Sequence, residues 1–305
     1  MPAKTCIGRA WAREGIAGAI ALCLILGSSE PAAAGHHHRL TDPDLDAELV
    51  VDAASGKVLF ARNDAAARHP ASLTKMMTLY LLFESLSTNK LTLKSELPVS
   101  AHAASQPRSH LRLREGQTIP VETAIRAVVV CSANDAAVTI AEAIGGSEQH
   151  FAELMNAKAH ALGMAHTFYR NASGLPDDQQ ITTADDLAVL AKHLVYDFPQ
   201  YFPYFSTRSM TWRGDDINTH NMLIGNYRGA DGIKTGYIDA SGYNLVATAM
   251  RDNTRLIAIV MGGFSVESRD EAAENLLDDA FAAVKAAAPK VTAAQEKPGE
   301  APLPR

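Results

Sequence analysis

The chain has 305 residues, 47% of them hydrophobic and 20% charged, with a formal net charge of −6. That apolar content at this length supports a large core in one domain, or in a domain with a subdomain, and the acidic balance excludes a basic nucleic-acid-binding surface. Three cysteines are too few for a disulfide framework.

Residues 1–34 read as a secretion signal. Lys4, Arg9 and Arg13 precede an apolar run from Ile16 to Leu26, and Ala32-Ala33-Ala34 offers a small-residue cleavage site. The run is shorter than the ~20 residues a spanning helix needs, so a cleaved leader is expected and not a membrane anchor. Cys23 follows Leu22, and no two arginines are adjacent, so neither a lipoprotein nor a twin-arginine signal is indicated. Without the leader 271 residues remain, with net charge −7, because the leader carries three basic and two acidic residues. Cys6 and Cys23 leave with it, and Cys131 is then without an intramolecular partner. The run His36-His37-His38 is expected to be exposed and inert.

Glu48 to Val51 and Val58 to Ala61, joined through Ala54-Ser55-Gly56-Lys57, predict a hairpin of two short strands. So short a pair needs a larger sheet, and chain from the far end offers one: Tyr243 to Met250 and Leu256 to Met261 form a second hairpin around Asp252-Asn253-Thr254. The intervening sequence is mostly helical. A buried helix is predicted after Ser72, because Met76 to Phe83 and Leu86 are apolar almost all round. Pro120 to Val130, Ala136 to Ile144, Glu148 to Leu162 and Thr183 to Leu194 follow, the last capped by Thr182 or Thr183, and Arg269 to Ala287 closes the domain. Strands, a helical block and strands again imply an α+β or α/β architecture with a site in the seam. From Pro289 to Arg305 the composition turns to Ala, Pro, Lys and Glu without an aromatic residue, which predicts a disordered tail.

Three short patterns carry chemistry: Ser72-x-x-Lys75, Ser132-Ala133-Asn134 and Lys234-Thr235-Gly236. At a spacing of three, a hydroxyl and an amine share a helix face. A serine becomes a nucleophile when a base takes its proton, and a lysine serves only if its pKa falls well below ~10.4. A depression of about three units corresponds to roughly 4 kcal/mol, within reach of burial, a helix N-terminus and a second lysine. The first pattern alone is weak, since Ser87-Thr88-Asn89-Lys90 repeats it and contains the second as well. That copy reads as a helix-ending polar turn, with no buried helix after it. Ser132 and Asn134 instead interrupt two apolar helices, and Gly236 on a predicted strand permits another backbone or a ligand to come close.

These patterns occur together in penicillin-binding proteins and class A β-lactamases. The chain resembles, more specifically, the low-molecular-weight penicillin-binding proteins that are D-alanyl-D-alanine carboxypeptidases. The resemblance rests on Pro70 to Thr78, Ser132 to Ala136, Asn171-Ala172-Ser173-Gly174-Leu175, Asp231 to Tyr237 and Met261-Gly262-Gly263, and spans about Glu48 to Ala283. It implies a β-lactamase/transpeptidase-like fold over residues 35–288, an antiparallel sheet flanked by helices with an inserted helical subdomain, without cofactor or metal. It implies that Ser72 attacks a peptidoglycan stem peptide, that Lys75 is the base, and that Ser132 and Lys234 pass a proton to the leaving amine. Asn134 would hold the substrate amide or Lys75, the amides of Ser72 and Tyr237 would form the oxyanion hole, and Thr235 with Arg269 would take the terminal carboxylate. Gly236 belongs to the same strand. Expected partners are stem peptides and β-lactams as covalent inhibitors, with no nucleic acid and no firm membrane anchor after signal cleavage. The expected location is secreted, in the periplasm or cell envelope.

Several features depart from that family or compete with it. Asn218-Thr219-His220-Asn221 has a threonine and a histidine where relatives often carry arginine and asparagine. The familiar β-rich carboxy-terminal domain and its amphipathic anchor do not follow, so a soluble periplasmic enzyme, or one whose tail binds something, is expected. Cys131 reads as a small apolar residue closing a helix and not as a thiol nucleophile. A class A β-lactamase needs a glutamate for its deacylating water, and Glu153 stands too close to Ser132 in sequence, within an amphipathic helix. An endopeptidase acting on peptidoglycan cross-links would use the same residues, and a non-enzymatic peptidoglycan-binding module would need none of them.

Overall fold

A computed structural model describes residues 39–287. The predicted leader, the His36-His37-His38 run and the tail from Pro289 lie outside the described residues. Among the described residues the first elements are the predicted hairpin, β1 (Ala47–Asp52) and β2 (Val58–Arg62), and the last are β7 (Ala230–Ile238), β8 (Gly242–Arg251), β9 (Thr254–Gly263) and the helix α7 (Val266–Ala287). These strands make one antiparallel sheet in the order β2-β1-β9-β8-β7, so the first hairpin is completed by chain from the far end, as expected.

Alternation along the central strands explains why this sheet is covered on both faces. In β9, Ile257, Ile259 and Met261 join the core on the side of the helical block, while Leu256, Ala258 and Val260 face the opposite way against Ala273 and Leu277 of α7. A strand buried on both sides must be apolar at every position. The helical block comprises α1 (Lys75–Ser87), the short α2 (Ala101–Ala104), α3 (Val121–Val130), α4 (Asn134–Gly145), α5 (Glu148–Leu162) and α6 (Ala184–Asp197). In α1 every residue from Lys75 to Phe83 is buried, which accounts for its almost unbroken apolar sequence. Ser147 and Thr183 cap α5 and α6 through bonds from His150 N and Asp186 N.

Three details differ from the sequence reading. Asn134 is the first residue of α4, so Cys131, Ser132 and Ala133 form the break between the two helices and Asn134 does not belong to it. The closing helix starts at Val266, three residues before Arg269. Two small ribbons were invisible to periodicity: β3 (Glu96–Pro98) with β4 (Thr118–Pro120), and β5 (Ser209–Trp212) with β6 (Asp215–Asn218). They are too short to show an alternation, and the second is positioned by a tertiary bond, Trp212 Nε1 donating to the Leu111 carbonyl at 3.0 Å.

Candidate active site

Ser72 lies in a single 3-10 turn, Ala71–Thr74, that runs directly into α1. In that tighter helix residues three apart are eclipsed, and Lys75 Nζ accordingly stands 2.9 Å from Ser72 Oγ. The turn is held in place from both sides. Gly236 of β7 faces it so closely that a Cβ there would lie 3.0 Å from Ser72 N and 3.1 Å from the Pro70 carbonyl oxygen. Gly174, at φ +85°, lies under the turn, and a Cβ at that position would be 1.9 Å from the Ala71 carbonyl oxygen. Both glycines therefore serve the close approach of other backbone to Ser72. Asn244 of β8, completely buried, adds a bond from Nδ2 to the His69 carbonyl at 3.1 Å.

Lys75 is fully buried. Its Nζ lies 2.7 Å from Asn134 Oδ1 and 2.5 Å from the Ser173 carbonyl oxygen, besides its contact with Ser72. Burial pushes its pKa well below the ordinary lysine value, and the nearby charge of Lys234 acts in the same direction. Lys234, also buried, is brought down to about 7 by burial and by the charge of Arg269. Its Nζ donates to the Thr235 carbonyl at 2.9 Å. Among the described residues no carboxylate forms an ion pair with either amine, and the more distant Asp135 and Glu148 offset only part of the loss of water around Lys75.

Asn134 spends its amide on structure: Oδ1 accepts from Lys75, and Nδ2 donates to the carbonyls of Pro107 and Arg108 at 3.0 Å each. Lys75 is thus one of the two partners expected for it. Ser132 holds a left-handed backbone at φ +57°, a conformation that costs a non-glycine residue about 1–3 kcal/mol. That geometry turns the chain between α3 and α4. Its Oγ is buried with no partner within the described residues, and so is Arg269 Nη2. Arg269 Nε donates to Asp270 Oδ1 at 2.9 Å; Nη2 is 2.8 Å from the same oxygen but without hydrogen-bond geometry.

A cleft of about 330 Å³ collects Ser72, Ser132, Thr235, Gly236, Tyr237 and Arg269 in its walls, with Lys75, Asn134 and Lys234 buried behind them. All nine residues singled out in the sequence thus meet at one place. The decoy pair does not. Ser87 is the exposed last residue of α1, and Lys90 is exposed after the turn at Asn89, beside a larger groove of about 570 Å³ between α1, α4 and α5. Among the described residues a hydroxyl meets a fully buried amine only at the smaller cavity, where Lys75 Nζ stands against Ser72 Oγ.

Five further cleft residues escaped the sequence reading as site residues: Arg108, Ser109, His220, Tyr243 and Val266. Arg108 and Ser109 sit on a loop that Asp135 pins by accepting from Leu111 N and Leu113 N, a contact no local pattern announces. His220 had stood out only as a departure from relatives. Its backbone N donates to the Val130 carbonyl, setting it beside Ser132. Though exposed on its outer side, the ring is pushed down to about 4 by desolvation on its inner side and by the charges of Lys234, Arg269 and Lys75, so it is neutral at neutral pH. Tyr243 stacks on Tyr237 with ring centroids 4.3 Å apart. Cys131 is pushed up to about 11 by burial and the charge of Asp135, and its Sγ donates to the Ala127 carbonyl, so it is a closed helix end and not a thiolate. Glu153, on α5, pairs with His150 at 3.0 Å and lines a different cavity; no carboxylate is among the residues that line the cleft. Among the described residues, no three His, Cys, Asp or Glu side chains stand together as a metal site would require.

Comparison with known proteins agrees with this geometry. The family model described as peptidase S11, D-alanyl-D-alanine carboxypeptidase, matches residues 36–265. The chain is 35% identical over 248 residues to D-alanyl-D-alanine carboxypeptidase DacA of Escherichia coli K12, a match that covers 78% of this chain and 62% of that one. It therefore spans about three-fifths of the length of that relative. Among solved structures it is similar to the D-alanyl-D-alanine carboxypeptidase DacD from Francisella tularensis, with TM-score 0.76 and 30% identity over 79% of this chain and 71% of that one. It is also similar to penicillin-binding protein D2 from Listeria monocytogenes in its ampicillin-bound form, with TM-score 0.67 and 31% identity over 77% and 96%.

Proposed function

From the premise that the chain belongs to the D-alanyl-D-alanine carboxypeptidase family of serine peptidases, we propose that it removes the terminal D-Ala from peptidoglycan stem pentapeptides through an acyl-enzyme on Ser72, and that β-lactams acylate the same serine. The observation that carries this reading is the buried, unpaired amine of Lys75 within 2.9 Å of Ser72 Oγ.

A neutral amine has two N–H groups and one lone pair. Asn134 Oδ1 and the Ser173 carbonyl take the two hydrogens, which leaves the lone pair for the Ser72 hydroxyl. Ser72 Oγ then attacks the carbonyl carbon of the penultimate D-Ala as its proton passes to Lys75. The amides of Ser72 and Tyr237 hold the oxyanion, each worth by analogy about 2.7–4 kcal/mol. As the tetrahedral intermediate collapses, the C–N bond breaks, and the leaving amine takes the proton that Lys75 received, relayed through Ser132 beside Lys234. Water enters, gives a proton to Lys75, and its oxygen adds to the acyl carbon; the C–Oγ bond then breaks and Ser72 Oγ takes that proton back from Lys75. The terminal carboxylate is received by Arg269, Thr235 and Lys234, where an unpartnered guanidinium nitrogen and two buried hydroxyl and amine groups supply donors. Such a reaction belongs in the cell envelope, and the leader-like residues 1–34 support export to the periplasm. Among the described residues no helix is long and apolar enough to cross a membrane.

Incubation with a pentapeptide stem and with cross-linked muropeptides, scored by mass spectrometry, tests the reaction. Release of one D-Ala from the pentapeptide, with cross-links left intact, is the expected result. Cleavage of cross-links at a comparable rate would make the protein an endopeptidase, and rapid turnover of penicillin a β-lactamase.

The two lysines also predict the pH profile. Lys75 acts when neutral, so activity is lost as pH falls through its lowered pKa. Lys234 receives the carboxylate when charged, so kcat/KM falls as pH rises through about 7 in the free enzyme. A bound carboxylate favours the charged amine, which places the alkaline limb of kcat above that of kcat/KM. Flat kcat/KM from roughly pH 6 to 9 would exclude these assignments.

A further inference from the structure

Behind the catalytic amine runs a short chain of contacts that the reaction scheme does not use. Glu148 is the first residue of α5 and only 14% exposed at its side chain. Its Oε2 lies 2.6 Å from His102 Nε2, and its Oε1 accepts from Ala172 N at 3.0 Å. The carbonyl of Ala172 accepts from Thr78 Oγ1 of α1 at 2.7 Å, and the next carbonyl, that of Ser173, is the one held 2.5 Å from Lys75 Nζ. Ala172 and Ser173 are both fully buried. We propose that Glu148 is a positioning residue for the base: by holding the Ala172 amide it aims the Ser173 carbonyl at Lys75, and so turns the lysine lone pair toward Ser72.

The argument follows from the count of hydrogens on a neutral amine. Two acceptors are needed to fix its rotation about the Cε–Nζ bond, and Asn134 provides only one of them. The other is a main-chain carbonyl on a loop, whose direction is set jointly by the bonds of the amide in its own peptide plane, Gly174 N, and of the amides just before it. Thr78 ties the loop to α1, and Asn171 Oδ1 receives Ser173 N at 3.2 Å and Gly174 N at 2.7 Å from within the loop itself. Glu148 supplies the remaining hold, from a helix terminus whose own position is locked by the Ser147 cap. Its charge is no help to the reaction, because a carboxylate near Lys75 favours the protonated amine and not the base. The hydrogen bond, and not the charge, is what the site requires.

This inference rests on the carboxypeptidase reading, and the test separates the two. The full chain and its variants are mixed with a fluorescent penicillin, and the acylation rate constant is resolved from the concentration that half-saturates it. Glu148→Gln keeps an oxygen acceptor and loses the charge; it is expected within about threefold of the unaltered protein. Glu148→Met keeps the bulk and loses the acceptor; it is expected to acylate at least about tenfold more slowly at an unchanged half-saturating concentration, the signature of a misaimed group in a site that still binds. Equal rates for Glu148→Met and the unaltered protein would overturn the inference, as would an equal fall in Gln and Met variants. Should Glu148→Met fail to fold by its melting curve, His102→Ala, at a half-exposed side chain, releases Oε2 and is expected to slow acylation several-fold; no change there would overturn the inference equally. If the unaltered protein takes no penicillin, it is the carboxypeptidase reading that falls.

Discussion

Ser72→Ala and Lys75→Ala are each expected to lower penicillin acylation and D-Ala release by at least about 10⁴-fold, while Ser87→Ala and Lys90→Ala leave both within about twofold. The two pairs have the same spacing and nearly the same residues, so the contrast isolates what surroundings add. Ser72 stands in a 3-10 turn wedged between Gly236 and Gly174, with a completely buried amine against its hydroxyl. Ser87 ends its helix in solvent, and Lys90 lies beyond a left-handed Asn89 with its side chain exposed. Removing Ser72 deletes the atom that forms the ester. Removing Lys75 leaves the serine with a proton that no neighbouring group takes, and opens a buried space among Asn134, Ser173 and Lys234. Fluorescent-penicillin labelling and D-Ala release measure all four variants side by side. Activity persisting in Ser72→Ala would falsify the acyl-enzyme mechanism outright.

The second large effect is expected at Arg269. Arg269→Ala should lower kcat/KM for a peptide ending in a free carboxylate by about 10²–10³-fold, the equivalent of losing a buried charge-assisted contact of roughly 3–4 kcal/mol. The same peptide amidated at its carboxy terminus should lose little. The guanidinium is 2% exposed, its Nη2 has no hydrogen-bond partner, and it shares the cleft wall with Ser132 and Thr235. Its backbone lies against Gly263, where any side chain would collide with Arg269 Cβ, so the helix places this residue without freedom to drift. A second readout accompanies the first. Arg269 is one of the charges that lower Lys234, so its removal should shift the alkaline limb of kcat/KM upward. Equal losses on acid and amide substrates, with an unmoved limb, would argue that Arg269 only supports the fold.

Much of this site was legible because its chemistry is written in short patterns and its scaffold in periodicity. Alternation in β9 and the all-apolar face of α1 announce burial on every side, and burial is what depresses Lys75. Glu148 to Leu162 was readable to the residue because Ser147 and Gly163 punctuate it. The ribbon β5–β6 was not, since four-residue strands carry too little pattern and this pair is placed by Trp212 reaching Leu111. Nor was the role of Ser173, which contributes a main-chain carbonyl and could have been any residue type.

The sequence by itself offered the candidate groups, the order of strands and helices that brings them together, and the close approach that Gly236 allows. Residue type and local period are sufficient for those, because a hydroxyl, an amine and a missing Cβ are properties of the chain. Only the tertiary structure showed that Ser72, and not Ser87, stands against a buried amine, that Asn134 accepts from Lys75, and that Arg108, His220 and Tyr243 share the cleft. Those outcomes depend on desolvation and on distances between segments tens to more than a hundred residues apart, where a lysine becomes a base by losing water and not by its place in the sequence.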